Sequence, residues 1–241
     1  MNLIVDIGNT AIKVAQFEKT DCAKVLRFSE EKQFLDHCSK LKYQNSIVSS
    51  VRGESFTDEV KNTLKVVLLL NANTPLPIVN KYATPTTLGN DRIANAVGTF
   101  SVYPNQNNLV IDVGTCLKLD FINAANEYLG GSISPGLKMR FNALHTLTDN
   151  LPLIEEVEIN QLIGNDTTSS IQVGVYQGMI AEIRNMIRQY EEKYKQLNII
   201  LTGGDLDYFS DIDLSQKNSI FADDLLTLKG LNTILEYNVQ K

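Results

Sequence analysis

One short pattern, which occurs twice, constrains the fold of this chain more than any other feature. Each copy is an apolar strand that ends in Asp-x-Gly and a small polar residue, followed by a strand in which apolar and polar residues alternate. The first copy is Asp6-Ile7-Gly8-Asn9-Thr10, and the second is Asp112-Val113-Gly114-Thr115. Two such hairpins that face each other across a cleft would hold the phosphates of a nucleotide from both sides.

The residue types in the repeat suit phosphate binding. Glycine lets the backbone come close to a phosphate, and the turn N–H groups can bond to its oxygens together with the side chains of Asn9, Thr10 and Thr115. The aspartates need a cation between them and the phosphates, normally Mg²⁺ with its water shell. One hairpin alone is more simply an ordinary turn. A third glycine turn, Thr202-Gly203-Gly204, also ends an apolar strand and favours the functional interpretation.

Composition and the missing motifs exclude several classes of protein. The formal net charge of -6 argues against a general nucleic-acid surface, which needs clustered Lys and Arg. The sequence has neither a G-x-x-x-x-G-K-[ST] loop nor a G-x-G-x-x-G motif that opens a helix. Three cysteines fit neither a disulfide framework nor a zinc site. The first residues lack the basic and long apolar segments of a signal peptide, so we expect none, and the longest apolar run, Val66 to Leu70, is too short for a bilayer. We expect a cytoplasmic protein that binds no membrane.

Hydrophobic periodicity places these motifs on elements. The chain opens with an antiparallel meander and then continues with helices and strands. Gly130-Gly131 is expected to interrupt the chain between segments. The predicted meander strands are Leu3 to Ile7, Ala11 to Phe17 and Val25 to Phe28. Predicted helices include Ser55 to Leu69, Asp91 to Tyr103, one that begins after Asp166-Thr167-Thr168, and Leu225 to Tyr237.

Six motifs in one order resemble a known family. They are Asp6-Ile7-Gly8-Asn9-Thr10, Leu88-Gly89-Asn90-Asp91-Arg92, Asp112-Val113-Gly114-Thr115, Gly130-Gly131-x-Ile133-x-Pro135-Gly136, Gly164-x-x-Thr167 and Thr202-Gly203-Gly204. In number, order and spacing they resemble type III pantothenate kinase. The resemblance implies an α/β fold of two duplicated, actin-like (ribonuclease H-like) ATPase domains with a central cleft. We place the two domains at residues 1–105 and 106–241.

The resemblance also implies an activity and its cofactors. Members of the family transfer the γ-phosphoryl group of ATP to the hydroxyl of pantothenate, the first step of coenzyme A synthesis. It further implies Mg²⁺, a monovalent cation such as potassium or ammonium, and a homodimer.

Site residues follow from the resemblance position by position. Asp6, Ile7, Gly8, Asn9, Thr10, Ala11, Ile12 and Lys13 match the first ATP phosphate loop, and Thr115 matches an ATP contact on the second. Asp112 matches the ligand of the monovalent cation, and Asp6 is expected to hold Mg²⁺ through water. Tyr82, Gly89, Asn90, Asp91, Arg92 and Thr167 match the pantothenate contacts.

Asp91 matches the proton acceptor of the family. It is predicted at the start of a helix, where the dipole stabilises a carboxylate, and without the resemblance it would be interpreted as a helix cap. Arg92 is expected to orient the pantothenate carboxylate through its two-pronged guanidinium, although a surface ion pair is the simpler alternative.

The chain departs from the family pattern after the second loop. Small or hydroxylated residues usually follow there, whereas this chain has Cys116-Leu117-Lys118. Lys118 is either an exposed strand residue or a replacement for the charge of the monovalent cation. Because lysines on strands usually face water, the sequence favours the first interpretation.

Two other functions share these phosphate loops. One is another kinase or a phosphohydrolase of the same superfamily, which would need a different acceptor site from Tyr82 and Gly89–Arg92. The other is a non-catalytic nucleotide-sensing regulator. Such a protein has no chemical need to keep Asp6, Asp91, Arg92 and Asp112 together.

Overall fold

A computed structural model describes residues 1–155, 161–209, 214–215, 217–218 and 220–240. The chain forms two compact units. Unit 1 comprises residues 1–105, 122–130 and 225–241, and unit 2 comprises residues 106–121 and 131–224. Within the described ranges, no helix is long and apolar enough to cross a bilayer.

Unit 1 is built on a five-stranded sheet in the order β3-β2-β1-β4-β5. The central strand β1 pairs antiparallel with β2 and parallel with β4. Leu3, Val5 and Ile7 of β1 pack with Phe34 and Val60, which lie on helices α1 and α2. The strands are β1 (Asn2–Ile7), β2 (Ile12–Glu18), β3 (Asp21–Phe28), β4 (Asn45–Ser50) and β5 (Leu68–Leu69); the two helices are α1 (Glu31–Cys38) and α2 (Glu54–Thr63).

Two more helices complete unit 1, namely α3 (Asn90–Val102) and α6 (Leu226–Val239). α6 contacts β1, β4 and α3. A glycine on each helix permits the close contact with α3, because a Cβ on Gly98 would lie 2.3 Å from the carbonyl oxygen of Leu226, and one on Gly230 only 1.8 Å from that of Ala94. The short strand β6 (Val79–Asn80) pairs with the first residues of β9 (Glu127–Pro135).

Unit 2 contains strands β7, β8, the second half of β9, β10 and β11, in the order β11-β10-β7-β8-β9. β10 pairs parallel with both β7 and β11. The long helix α5 packs on this sheet through Val175, Met179, Ile183 and other apolar residues at helical spacing. The bounds are β7 (Asn107–Val113), β8 (Cys116–Ile122), β10 (Leu197–Thr202), β11 (Ile220–Ala222), α4 (Leu137–Thr146) and α5 (Thr167–Lys193).

Most predicted elements are confirmed, including the opening meander and the helices at α3, α5 and α6. The helix predicted from Ser55 to Leu69 is wrong at its end. It stops at Thr63, and Leu68–Leu69 form the strand β5 that pairs with β4. The predicted interruption at Gly130-Gly131 is also wrong, because β9 runs through both glycines. Unit 1 differs from the predicted domain of residues 1–105 in also containing residues 122–130 and α6.

Candidate active site

The first glycine turn joins β1 to β2. The N–H of Gly8 donates to the carbonyl oxygen of Ala11 at 3.1 Å, which closes the turn. Asn9 and Thr10 are exposed, and in the part of the chain that the structure describes their N–H groups have no protein acceptor. Asp6 is half-buried at the carboxyl end of β1. The turn therefore presents two backbone donors and a nearby carboxylate, as a loop that binds metal-bound phosphate requires.

Arg52 holds this turn in place, and sequence reasoning missed it. Its Nε donates to the carbonyl oxygen of Gly8 at 2.9 Å and its Nη2 to that of Asn9 at 3.4 Å. Its third nitrogen pairs with Glu31 at 2.8 Å. The available signal was that Arg52 lies two residues after the end of β4, and the carboxyl ends of the parallel neighbours β4 and β1 lie side by side.

The start of α3 lies at the same edge of the sheet. The amide of Asn90 donates to the carbonyl oxygens of Ser50 at 3.4 Å and of Leu70 at 3.2 Å, so it ties α3 to the carboxyl ends of β4 and β5. Since Ser50 is the register partner of Ile7 in β1, the helix begins beside the first glycine turn. Ligands of parallel sheets bind at this carboxyl edge.

Asp91 belongs to the first turn of α3. The N-cap is Gly89, with no side-chain cap, so the interpretation of Asp91 as an ordinary helix cap is wrong. Its Oδ1 accepts the N–H of Arg92 at 2.9 Å. A Cβ on Gly89 would lie 2.6 Å from this same Oδ1, so the glycine leaves room for the carboxylate to fold back over the helix start. The positive end of the helix dipole stabilises the charged carboxylate there.

Arg92 and Tyr82 pack against each other in unit 1. Arg92 is buried, with its guanidinium carbon 5.5 Å from the centre of the Tyr82 ring. The alternative of a surface ion pair for Arg92 is therefore wrong. Gly130, at φ +93°, lets the Tyr82 ring pass, because a Cβ there would lie 3.0 Å from it. The predicted acceptor segment is thus one packed group of residues beside the first phosphate loop.

In unit 2, three glycine motifs that are distant in sequence meet at the turn between β7 and β8. The N–H of Gly136 donates to the carbonyl oxygen of Thr115 at 3.2 Å, and a Cβ on Gly136 would lie 2.0 Å from the oxygen of Gly114. Gly203 has φ +115°, and a Cβ on it would lie only 2.1 Å from the carbonyl oxygen of Val113. Across the described residues, the N–H of Thr115 has no protein acceptor.

Asp112 and Lys118 form an ion pair across this hairpin. Lys118 Nζ lies 2.8 Å from Asp112 Oδ2, and only 15% of the lysine side chain and 12% of the aspartate side chain are exposed. The prediction that Lys118 faces water is therefore wrong. Asp112 is also the register partner of Thr202 on β10, which places it beside the third glycine turn.

Thr167 lines a pocket of about 1130 Å³ between α4 and α5. Its walls are largely apolar, with Leu144, Leu147 and Ile171 among them. Asp166 caps α5. Its carboxylate accepts hydrogen bonds from the backbone N–H and the hydroxyl of Ser169, and these bonds, chiefly the one from the N–H, hold the pKa of Asp166 below its ordinary value. The pocket can receive the less polar part of a small molecule.

The structure brings the predicted residues together in two groups, one in each unit. Unit 1 gathers the Asp6–Lys13 loop, Tyr82 and the Gly89–Arg92 segment. Unit 2 gathers Asp112, Thr115 and the glycines that support them, and it carries Thr167 in its own pocket. The described residues contain no group of three or more His, Cys, Asp or Glu side chains that could hold a metal ion. A metal at such loops would be held largely by phosphate and water.

Comparisons with known proteins point to one family. The family model of type III pantothenate kinase matches residues 2–189. The type III pantothenate kinase of Bacteroides fragilis is 43% identical over 244 residues, which cover 99% of this chain and 98% of the relative. That of Christiangramia forsetii is 42% identical over 246 residues, with 99% of each chain covered.

Two solved structures share the fold. A Campylobacter jejuni protein described as a conserved Baf family transcriptional activator has a TM-score of 0.62 at 22% identity, covering 99% of this chain and 100% of that one. The ROK family glucokinase of Streptomyces griseus, solved with glucose and AMPPNP, has a TM-score of 0.53 at 12% identity, covering 100% and 99%.

The fold is that of the sugar kinase and actin-like ATPase class, as the resemblance implied. Within that class, the chain belongs to the type III pantothenate kinase family.

Proposed function

We propose that this chain phosphorylates pantothenate with ATP to give 4'-phosphopantothenate, the first step of coenzyme A synthesis. The observation that carries the proposal is the position of Asp91, a carboxylate in the first turn of α3 at the sheet edge that also holds the first phosphate loop. A kinase of this class needs a proton acceptor close to the transferred phosphoryl group.

The two glycine turns are assigned to ATP. The residues Asp6 to Lys13 bind the phosphates through the N–H groups of Asn9 and Thr10, and Thr115 adds a contact from the second turn. Support comes from backbone donors that have no acceptor within the described protein. Because these donors are already fixed by the fold, little reorganisation is needed when charge develops on the phosphate oxygens.

Asp91 is assigned as the base that accepts the proton of the pantothenate hydroxyl. Arg92, held under the Tyr82 ring, orients the pantothenate carboxylate, with Gly89, Asn90 and Thr167 as further contacts. A loose phosphoryl transfer asks little covalent chemistry of the protein, so position and charge carry most of the rate.

Mg²⁺ is the divalent metal expected with ATP, and the residues present suit it. The half-buried carboxylate of Asp6 at the end of β1 would hold it through water beside the open donors of the turn. When bound, the metal neutralises the negative charge of the phosphates.

Two further properties belong to the same proposal. The protein acts in the cytoplasm, consistent with three free cysteines. It forms a homodimer, as the resemblance implies, and the exposed apolar side chains of Leu147, Leu162 and Ile163 are in keeping with a partner surface.

The test is the Asp91→Asn variant assayed with ATP, Mg²⁺ and pantothenate. Loss of the base should lower kcat about a hundredfold or more and leave the KM for ATP within about twofold. Asp36→Asn, an exposed aspartate on α1, is the matched control and should behave like the parent protein. Near-normal turnover by Asp91→Asn would show that the base is assigned wrongly. A panel of other alcohol acceptors with ATP tests the alternative kinase. A coupled ADP-release assay with pantothenate present distinguishes an enzyme from the non-catalytic regulator.

A further inference from the structure

Lys118 contacts the carboxylate to which the family resemblance assigns a free monovalent cation. That resemblance assigns a potassium or ammonium ion to Asp112, yet the ammonium of Lys118 already lies 2.8 Å from its Oδ2. A free cation beside the same oxygen would place two positive charges on one carboxylate in a poorly solvated site. The residues present therefore do not fit a bound potassium ion at Asp112.

We propose that the Lys118 ammonium serves as a built-in monovalent cation, so that this kinase works without potassium or ammonium. The inference rests on the proposed pantothenate kinase activity. An alkylammonium carries the same single charge as these ions, and its three N–H groups can bond to carboxylate and phosphate oxygens.

The hairpin fixes the geometry of this pair. Asp112 is near the end of β7 and Lys118 near the start of β8, so the two side chains reach each other around the turn that carries Thr115. On its other side, Asp112 Oδ1 faces glycine backbone, because a Cβ on Gly203 would lie 2.7 Å from it and one on Gly114 3.7 Å. The cationic group is thereby held directly beside the second phosphate loop.

A purely structural ion pair is the competing explanation, and the two differ in one measurable respect. In either case, removing the Lys118 ammonium takes a close positive charge away from the buried Asp112 carboxylate and lowers stability. Only a lysine that stands in for the cation leaves a site that a dissolved monovalent ion can refill. Cation-specific recovery of kcat in a Lys118 variant is thus a readout that a structural role would not produce.

The experiment measures phosphopantothenate formation at constant ionic strength in chloride salts of potassium, ammonium or tetramethylammonium. The parent protein should change by less than about twofold between these salts. Lys118→Ala should lose about tenfold or more of kcat in tetramethylammonium and recover several-fold in potassium or ammonium. Lys118→Arg keeps the charge and should remain independent of potassium, and Lys138→Ala, an exposed lysine on α4, is the matched control.

Melting temperatures in the presence of ATP give a second measurement that does not need turnover. Saturating potassium should raise the Tm of Lys118→Ala by about 2 °C or more and leave that of the parent unchanged. The inference is overturned if the parent needs potassium for activity, or if folded Lys118→Ala shows neither recovery nor a potassium-dependent Tm. If no salt supports phosphopantothenate formation by the parent, the proposed function fails instead, and the Tm values still decide the cation question.

Discussion

Replacing Arg52 by methionine should loosen the first phosphate loop and weaken the use of ATP. The side chain is 19% exposed and donates to two carbonyl oxygens of the turn, at 2.9 Å to Gly8 and 3.4 Å to Asn9. Arg52→Met keeps the apolar stem of the side chain, which lies against Phe56, and removes only the charged donors. The change therefore tests the hydrogen bonds and not the packing.

The size of the effect follows from these contacts. A hydrogen bond from a charged donor contributes about 1.5–3 kcal/mol when it is well formed. Here only the bond to Gly8 has good length, because 3.4 Å is long for an N–H donor. The β1–β2 pairing also restrains the turn, so we take the low end of that range. A loss of about 1.4 kcal/mol corresponds to a tenfold change.

Steady-state kinetics should show kcat/KM for ATP lowered about tenfold in Arg52→Met, with the KM for pantothenate within about twofold. Glu31→Gln removes the partner on the exposed side of Arg52 and should change kcat/KM for ATP little, because its side chain is 49% exposed. Unchanged ATP kinetics in Arg52→Met, or an equal loss in Glu31→Gln, would refute the view that Arg52 fixes the loop.

Two further predictions concern packing and burial. Gly230→Ala should lower the free energy of unfolding by about 1–3 kcal/mol or more in urea titrations, because its Cβ would lie 1.8 Å from the oxygen of Ala94. Gly178→Ala on α5, with nothing within 4 Å, should instead be stabilising, and equal effects would contradict the packing argument. Burial raises the pKa of Cys38 from 9.0 to about 12, so the folded state holds its proton more tightly. Its contribution to stability is full below pH 9 and falls as pH rises toward 12; at pH 8, maleimide labelling followed by mass spectrometry should modify Cys22 and Cys116 first, and early labelling of Cys38 would contradict this.

Much of the first sheet and of the loops was predictable because the signals are local. An apolar run that ends in Asp-x-Gly specifies a buried strand and the turn after it within a few residues, as β1 and β7 show. The long amphipathic pattern of α5 was equally clear, although the helix begins at Thr167 and so slightly earlier than the predicted start after Thr168. These elements carry most of the predicted site residues, so their placement followed from the sequence.

The contacts that complete the site depend on tertiary packing and could not be predicted in this way. Arg52 reaches Gly8 from 44 residues away, through the parallel pairing of β4 with β1. Lys118 has the alternation of a half-exposed strand, but its ion pair with Asp112 buries most of the side chain. In sequence, Gly131 looks like the end of an element. In β9 it instead allows the backbone to approach Leu119 closely, since a Cβ there would lie 1.7 Å from the Leu119 carbonyl oxygen.

The packing of α6 within unit 1 has a consequence for biosynthesis. The amide of Asn2 donates to the side chain of Asn232, 230 residues later, and Asn232 in turn donates to the backbone of Lys19. At roughly 5–20 residues per second, a ribosome needs on the order of 10–50 s to reach that partner. In the nascent chain, the strands β1 and β4 therefore lack the cover of α6 until that helix has been synthesised. Chaperone capture during this interval and rapid proteolysis of prematurely terminated chains are the expected cellular signs of a domain closed by its latest-made helix.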